Sequence, residues 1–196
     1  MQLDQQAFLD LLFLGARSQN GWKDTPVGED KLRELYDLSK MGPTAFNCSP
    51  MRIVFAYSDS AKERLAAAVS PGNVQKVLTA PAVAIIGHDL DFPSTLPHLL
   101  PHYPAAAEFF DGKPEMARIT ALRNGSLQGA YLMLGARALG LDVGPMSGFD
   151  SAKVQAAFFP TGRVEVNFIC GIGIGDSTKV FPRSPRWTFD EACSVI

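Results

Sequence analysis

Apolar positions recur at helical spacing in some stretches of the chain and in short, dense or alternating runs in others. Leu9, Leu12 and Phe13 follow a 3.6-residue period, as do Leu32, Leu35, Tyr36 and Leu38, whose pattern stops at Gly42-Pro43. Gly28-Glu29-Asp30 puts acidic residues where the second of these helices begins, which suits its positive N-terminal dipole. Residues 53–57 read as a strand between Ser49-Pro50 and Ser58-Asp59, and residues 60–69 as a helix ended by Ser70-Pro71-Gly72. Residues 82–87 predict a second, buried strand, and residues 164–170 a third that partly alternates through Val164, Val166, Phe168 and Cys170.

The longest helical pattern covers residues 114–140, with Ile119, Leu122, Leu127, Ala130, Tyr131 and Leu134 assigned to one face. Gly125 and Gly129 lie four apart on it, hence on a shared side. Each costs ~1 kcal/mol against alanine inside a helix, so two of them imply that another backbone approaches closely there. A dimer core and tight packing within one subunit both account for them. Residues 91–114 carry Pro93, Pro97, Pro101, Pro104 and Pro114 among aromatics, and are expected to lack regular structure and to form a lid or substrate loop. Helices outnumber strands, so the fold class is α+β, a modest sheet packed by helices in one domain spanning residues 1–196.

Composition narrows the function. With 18 basic against 20 acidic residues the chain is not expected to bind nucleic acid, which needs a basic face. Cys48, Cys170 and Cys193 are too few and scattered for a disulfide framework, which favours a reducing cytoplasm. The N-terminal stretch beginning Met1-Gln2-Leu3-Asp4 lacks the basic region of an export signal, and the apolar run at residues 77–87 is broken by Pro81. It falls short of the ~20 residues that span a bilayer, so a soluble cytoplasmic protein is expected.

Several candidate chemistries fail on context. Gly171-Ile172-Gly173-Ile174-Gly175 follows a strand but precedes no helix, so it reads as light packing at a strand end and not as a dinucleotide fingerprint. His98 and His102 each follow a proline, which discourages the helix that would set both on one metal, and no metal is expected. No Gly-x-Ser-x-Gly elbow is present.

Four polar or basic clusters remain. They are Arg17-Ser18-Gln19-Asn20, residues 43–50 (Gly42 followed by Pro-Thr-Ala-Phe-Asn-Cys-Ser-Pro), Asn73-Val74-Gln75-Lys76, and Arg183-Ser184-Pro185-Arg186. Taken singly, they read as a helix-end charge, a turn, a solvated helix face and a basic tail. Their order and spacing together, with Gly140-Leu141-Asp142 leading to Pro145-Met146-Ser147-Gly148-Phe149-Asp150, resemble the FMN-dependent nitroreductase family over nearly the whole chain. Asn20-Gly21-Trp22, Gly72-Asn73, Arg123-Asn124 and Gly144-Pro145-Met146 are similar to its malonic semialdehyde reductase branch (RutE/HadB-type) of uracil degradation.

The resemblance implies a mostly antiparallel central sheet, a long helix at a homodimer interface, and non-covalent FMN in sites shared by two chains. It implies that Arg17 and Arg183, with Arg186 nearby, hold the FMN phosphate, for which guanidinium forks are suited. Ser18 and Asn73 would bond the flavin pyrimidine edge, and Lys76 would face the N1 and C2 carbonyl side, where reduction builds negative charge. Pro43, Thr44, Ala45, Asn47 and Asn124 would come from the other subunit. The segment Pro145, Met146, Ser147 and Gly148 would approach flavin N5. Asn20 and Ser147 depart from the family's usual pattern, which has a basic residue and a glutamate there.

The implied activity is ping-pong hydride transfer from NAD(P)H through N5 to a small molecule, with malonic semialdehyde reduced to 3-hydroxypropanoate. No side-chain nucleophile or acid–base pair stands out, as expected where the cofactor carries the chemistry. Ser147 is the one substrate-side candidate. The alternatives are a broad nitro or quinone reductase and a flavin-binding module without turnover.

Overall fold

The computed structural model describes residues 4–196; residues 1–3, part of the stretch read for an export signal, lie outside the described residues. A four-stranded antiparallel sheet forms the centre: β1 (Met51–Ala56), β2 (Ala82–Asp89), β3 (Asp142–Met146) and β4 (Val164–Gly173), in the order β1-β2-β4-β3. The helices are α1 (Gln5–Leu9), α2 (Glu29–Ser39), α3 (Asp59–Ala66), α4 (Pro71–Thr79), α5 (Leu96–Leu99), α6 (Pro114–Ala138), α7 (Ser151–Phe158) and α8 (Phe189–Ala192).

Every residue of β2 is buried, because both sheet faces are covered. Val83, Ile85 and Ile169 point to one side, where Leu65 of α3, Val77 of α4 and Val154 of α7 complete a core. Ala82, Ala84, Ile86 and Ile172 point to the other and meet Leu32 and Leu35 of α2 and Leu132 and Ala136 of α6. Local signals start several of these helices. The Ser58 hydroxyl accepts from the Ala61 N–H at the head of α3, and the Asp150 carboxylate from the Lys153 N–H at the head of α7.

The structure revises the expected map in four places. Pro71 does not end a helix but opens α4, at the first-turn position where its missing N–H costs nothing. Residues 142–146 form a strand despite Pro145, because β3 is the outermost of the four strands and only an isolated bridge, at Val143, lies on its far side. Helix α7 follows Asp150, in a stretch to which no element had been assigned. Residues 91–114 are not irregular. Short 3₁₀ turns at Phe92–Thr95 and Pro104–Phe110 flank α5, and Phe92, Leu96, Ala106 and Phe110 build a third core cluster with Cys48, Ala117 and Ala121.

The long helix is also turned differently from its apolar pattern. Its buried face consists of Ala117, Ala121, Asn124, Gly125, Gln128, Gly129, Leu132, Gly135 and Ala136, whereas Ile119, Leu122 and Leu127 are exposed. A Cβ on Gly125 would stand 2.9 Å from His88 Cβ, and one on Gly129 2.5 Å from Phe168 Cζ. Both glycines therefore let α6 sit close on its own sheet, so tight packing within one chain accounts for them. Gly171 and Gly173 likewise leave room for Trp22 and Pro81. Among the described residues, no helix is long and apolar enough to cross a membrane.

Candidate functional site

Residues 17–22 pass beside the β3 edge of the sheet, held by isolated bridges from Ser18 to Val143 and from Trp22 to Gly175. The Gln19 N–H donates to the Val143 carbonyl at 3.0 Å. This track starts at a basic cavity of about 620 Å³ lined by Arg17, Ser18, Asn20, Arg183 and Arg186. A fourth guanidinium, Arg137 from the last turn of α6, also lines it, and no Asp or Glu does. The sequence reading missed Arg137, since a cation in a helix's last turn already has an ordinary role against the dipole.

Backbone carbonyls hold these guanidiniums. Arg17 Nη2 donates to the Phe181 carbonyl; Arg183 Nη2 donates to Leu14 and Ala16 at 2.6 and 3.0 Å; Arg137 Nη1 donates to Leu12 at 2.7 Å. Arg186 Nη1 donates to the nearby Ser184 and Pro185 carbonyls at 3.1 and 2.9 Å. None of the four has a carboxylate within ion-pair distance among the described residues. Four cations are thus gathered with their charge uncompensated. The Asn20 amide is turned to the Lys179 carbonyl at 3.4 Å.

The other end of the track meets α4, where Trp22 Nε1 donates to the Lys76 carbonyl at 3.1 Å. Asn73 Nδ2 donates to the Gly148 carbonyl at 3.0 Å, and the Ser70 N–H donates to the same oxygen at 2.9 Å. These bonds fix residues 145–148, at the end of β3, against the first turn of α4. Lys76 is half-buried and forms no ion pair among the described residues. Pro145 and Ser147 are exposed, whereas the Met146 side chain is in the core. Arg17, Ser18, Asn20, Trp22, Asn73, Lys76, Ser147, Gly148, Arg183 and Arg186 therefore belong to one strip along β3.

Pro43, Thr44, Ala45 and Asn47 do not join that strip. Their loop leads into β1, on the far edge of the sheet, and at the usual strand spacing the two edges are ~14 Å apart. The loop is held tightly. The Ala45 N–H donates to Asn124 Oδ1 at 2.8 Å, Asn47 Nδ2 to the Leu99 carbonyl at 2.8 Å, the Ser49 N–H to Thr44 Oγ1 at 3.2 Å, and the Tyr131 hydroxyl to the Pro43 carbonyl at 3.0 Å. Phe46, Asn47 and Ser49 adopt positive φ of 55°, 51° and 37°, a cluster of left-handed non-glycine residues of the kind that accumulates at functional loops. The Phe46 ring lies 5.8 Å from that of Phe109, so residues 104–110 cap the loop. Asn124 is 1% exposed and also donates to the Thr120 carbonyl, so within this chain it holds the loop.

An ion network anchors the loop's end. The Asp89 N–H donates to the Pro50 carbonyl, and the Asp89 carboxylate takes Arg163 in two bonds and Arg52 in a third, at 2.7–2.9 Å. Burial opposes the charge on Asp89, but the two guanidiniums hold its carboxyl below the usual range. Burial pushes the Cys48 thiol up to about 11 and Cys170 up to about 12, so neither is a thiolate nucleophile at neutral pH.

The comparisons agree with this geometry. The family model described as the nitroreductase family matches residues 15–175. HadB of Ralstonia pickettii, which carries the provisional name NADH dehydrogenase/NAD(P)H nitroreductase, is 57% identical over 189 residues, covering 95% of this chain and 96% of its own. The solved nitroreductase YdfN of Bacillus subtilis superposes with a TM-score of 0.85 at 24% identity, over 98% of this chain and 100% of that one. A nitroreductase of Exiguobacterium sibiricum, solved in complex with FMN, superposes at 0.82 with 19% identity, over 96% and 97% of the two chains. The track beside β3 and the basic cavity lie on a nitroreductase fold, and the chain belongs to the nitroreductase family.

Proposed function

We propose that the protein is an FMN-dependent NAD(P)H oxidoreductase that works as a homodimer and reduces malonic semialdehyde to 3-hydroxypropanoate. The observation that carries the flavin reading is the acid-free arginine cavity joined by residues 17–22 to Asn73 and Lys76. Its donor set fits a phosphate monoester, because guanidinium N–H groups match phosphate oxygens and no carboxylate competes. Arg17, Arg183 and Arg186 would hold the phosphate, and Ser18, Asn73 and Lys76 the polar edge of the ring system.

Bound FMN would supply hydride chemistry, with NAD(P)H as donor in one half-reaction and the aldehyde as acceptor in the next. Lys76 would place an unpaired positive charge where reduction builds negative charge. Asn73 fixes the Gly148 carbonyl, so the backbone of Ser147 and Gly148 is held in one position beside the substrate space. Ser147 is exposed and uncharged, which leaves the approach of a carboxylate-bearing aldehyde unopposed.

Two features support the dimer. The halves of the expected site sit on opposite sheet edges, so a second copy is the simplest source of the missing loop. Large apolar side chains are also bare on one chain: Leu11, Phe13 and Leu14 near the N-terminus, Ile119, Leu122 and Leu127 on α6, and Phe181, Trp187 and Phe189 past Val180. Patches of that kind mark surfaces that associate.

The purified protein is expected to carry FMN, to sediment as a dimer, and to lose its flavin colour when NADH or NADPH is added without oxygen. Malonic semialdehyde should restore the colour with a higher kcat/KM than a nitroarene. Faster turnover of the nitroarene favours a broad nitro or quinone reductase, the reading to which the relatives' names point. A flavin that NAD(P)H does not bleach favours a binding module without turnover.

A further inference from the structure

We propose that Arg137 is a fourth phosphate-holding residue, supplying from α6 the cation that Asn20 does not, given that the cavity holds the FMN phosphate as proposed above. Asn20 is neutral, and its amide is turned to the Lys179 carbonyl. Arg137 is more than 100 residues away in sequence, yet its guanidinium forms part of the same cavity wall as Arg17 and Arg183. Its Nη1 is fixed by the Leu12 carbonyl at 2.7 Å, while its other guanidinium nitrogens meet no acceptor among the described residues.

Its surroundings favour an anion. The side chain is half-buried, and burial works against its charge; Asp142, outside ion-pair distance, offsets this in part, and neighbouring Arg183 adds a smaller repulsion. A doubly charged phosphate placed among Arg17, Arg137, Arg183 and Arg186 relieves that repulsion and can use the open donor edge of Arg137. The Leu12 carbonyl ties this guanidinium to the segment that leads into Arg17, so the two cations are positioned together.

The test is flavin titration of the full-length protein freed of FMN, followed by fluorescence, with FMN and riboflavin compared. Arg137→Gln is expected to weaken FMN ~10-fold, the size of one charge-assisted bond at a partly exposed site, and to leave riboflavin nearly unchanged. Adding Asn20→Lys to Arg137→Gln should recover much of the FMN affinity, since it returns a cation to the same wall. Inorganic phosphate should raise the Tm of the flavin-free wild type more than that of Arg137→Gln.

Equal weakening for FMN and riboflavin would mean that Arg137 acts through its clasp on Leu12, and the assignment falls. Unchanged FMN affinity in Arg137→Gln also overturns it. A wild type that binds riboflavin as tightly as FMN removes the phosphate reading of the whole cavity, and Arg137 with it.

Discussion

The side-chain oxygen of Asn124, in the middle of α6, accepts the backbone N–H of Ala45 at 2.8 Å, tying the strained loop before β1 to the longest helix. The same amide donates to the Thr120 carbonyl at 2.9 Å, so its orientation is set from within the helix. Replacing Asn124 by Leu removes the partner of the Ala45 N–H, at a bond that is partly buried. The expected loss is about 1 kcal/mol of stability, the net worth of one hydrogen bond, read from urea denaturation, together with faster hydrogen exchange at Ala45. A variant as stable as wild type, with unchanged exchange, would show that the loop is held by other means.

Phe46 offers a clean test of backbone strain. Its φ of 55° costs an L-residue roughly 1–2 kcal/mol, which glycine escapes. Phe46→Ala and Phe46→Gly both remove the ring that packs on Phe109 and Phe110, but only glycine relieves the backbone. The glycine variant should therefore be the more stable of the two by ~1 kcal/mol in thermal or chemical unfolding. This reverses the order expected wherever φ is negative, and an alanine variant equal to or better than glycine contradicts the observed conformation.

Stability should fall as the solution is acidified through the histidine range. His88 is 2% exposed and lies against Gly125 of α6. Burial holds its imidazole below the ordinary value near 6.5; Glu165, 3.2 Å from Nε2, offsets this only partly, and Arg118 works with burial. Below about 6.5 the unfolded chain therefore takes up a proton that the folded chain refuses. The contribution is whole above that pH and is lost as pH falls toward the folded value, at up to ~1.4 kcal/mol per pH unit. Unfolding free energies measured between pH 7.5 and 5.5 should show this slope, and His88→Leu should flatten it. An equal slope in the variant assigns the effect elsewhere.

Ser147→Glu probes the substrate side. If Ser147 borders the substrate space as proposed, a carboxylate there repels a substrate that carries one. On the proposed reading, KM for malonic semialdehyde should rise roughly tenfold, about 1.4 kcal/mol, while a neutral quinone is far less affected. Equal changes for both substrates would mean that the glutamate disturbs the loop instead of the charge.

Much of the site could be read from order along the chain. The Arg17, Asn73 and Arg183 clusters are ordinary one by one and stand out only in their shared order, and the structure brings them to one edge of the sheet. Arg137 gave no such signal, because nothing within a turn of it distinguishes it from any arginine at a helix end. Asn124 was legible as a marker of the family but not as a brace, since its role depends on a loop 79 residues away.

The sequence by itself determined the elements whose signals lie within a few turns of chain: three of the four strands, the length of α6, and the acidic start of α2. Local periodicity and capping act over that range, so they survive without knowledge of the fold. Tertiary structure alone decided which side of α6 faces inward. The apolar count favoured Ile119, Leu122 and Leu127, yet the helix turns its small residues to the sheet. Close approach to His88 and Phe168 packs small residues densely against the sheet, and the apolar row is left facing outward. Tertiary structure also made a strand of residues 142–146, because a proline is tolerated once its missing N–H faces no partner strand.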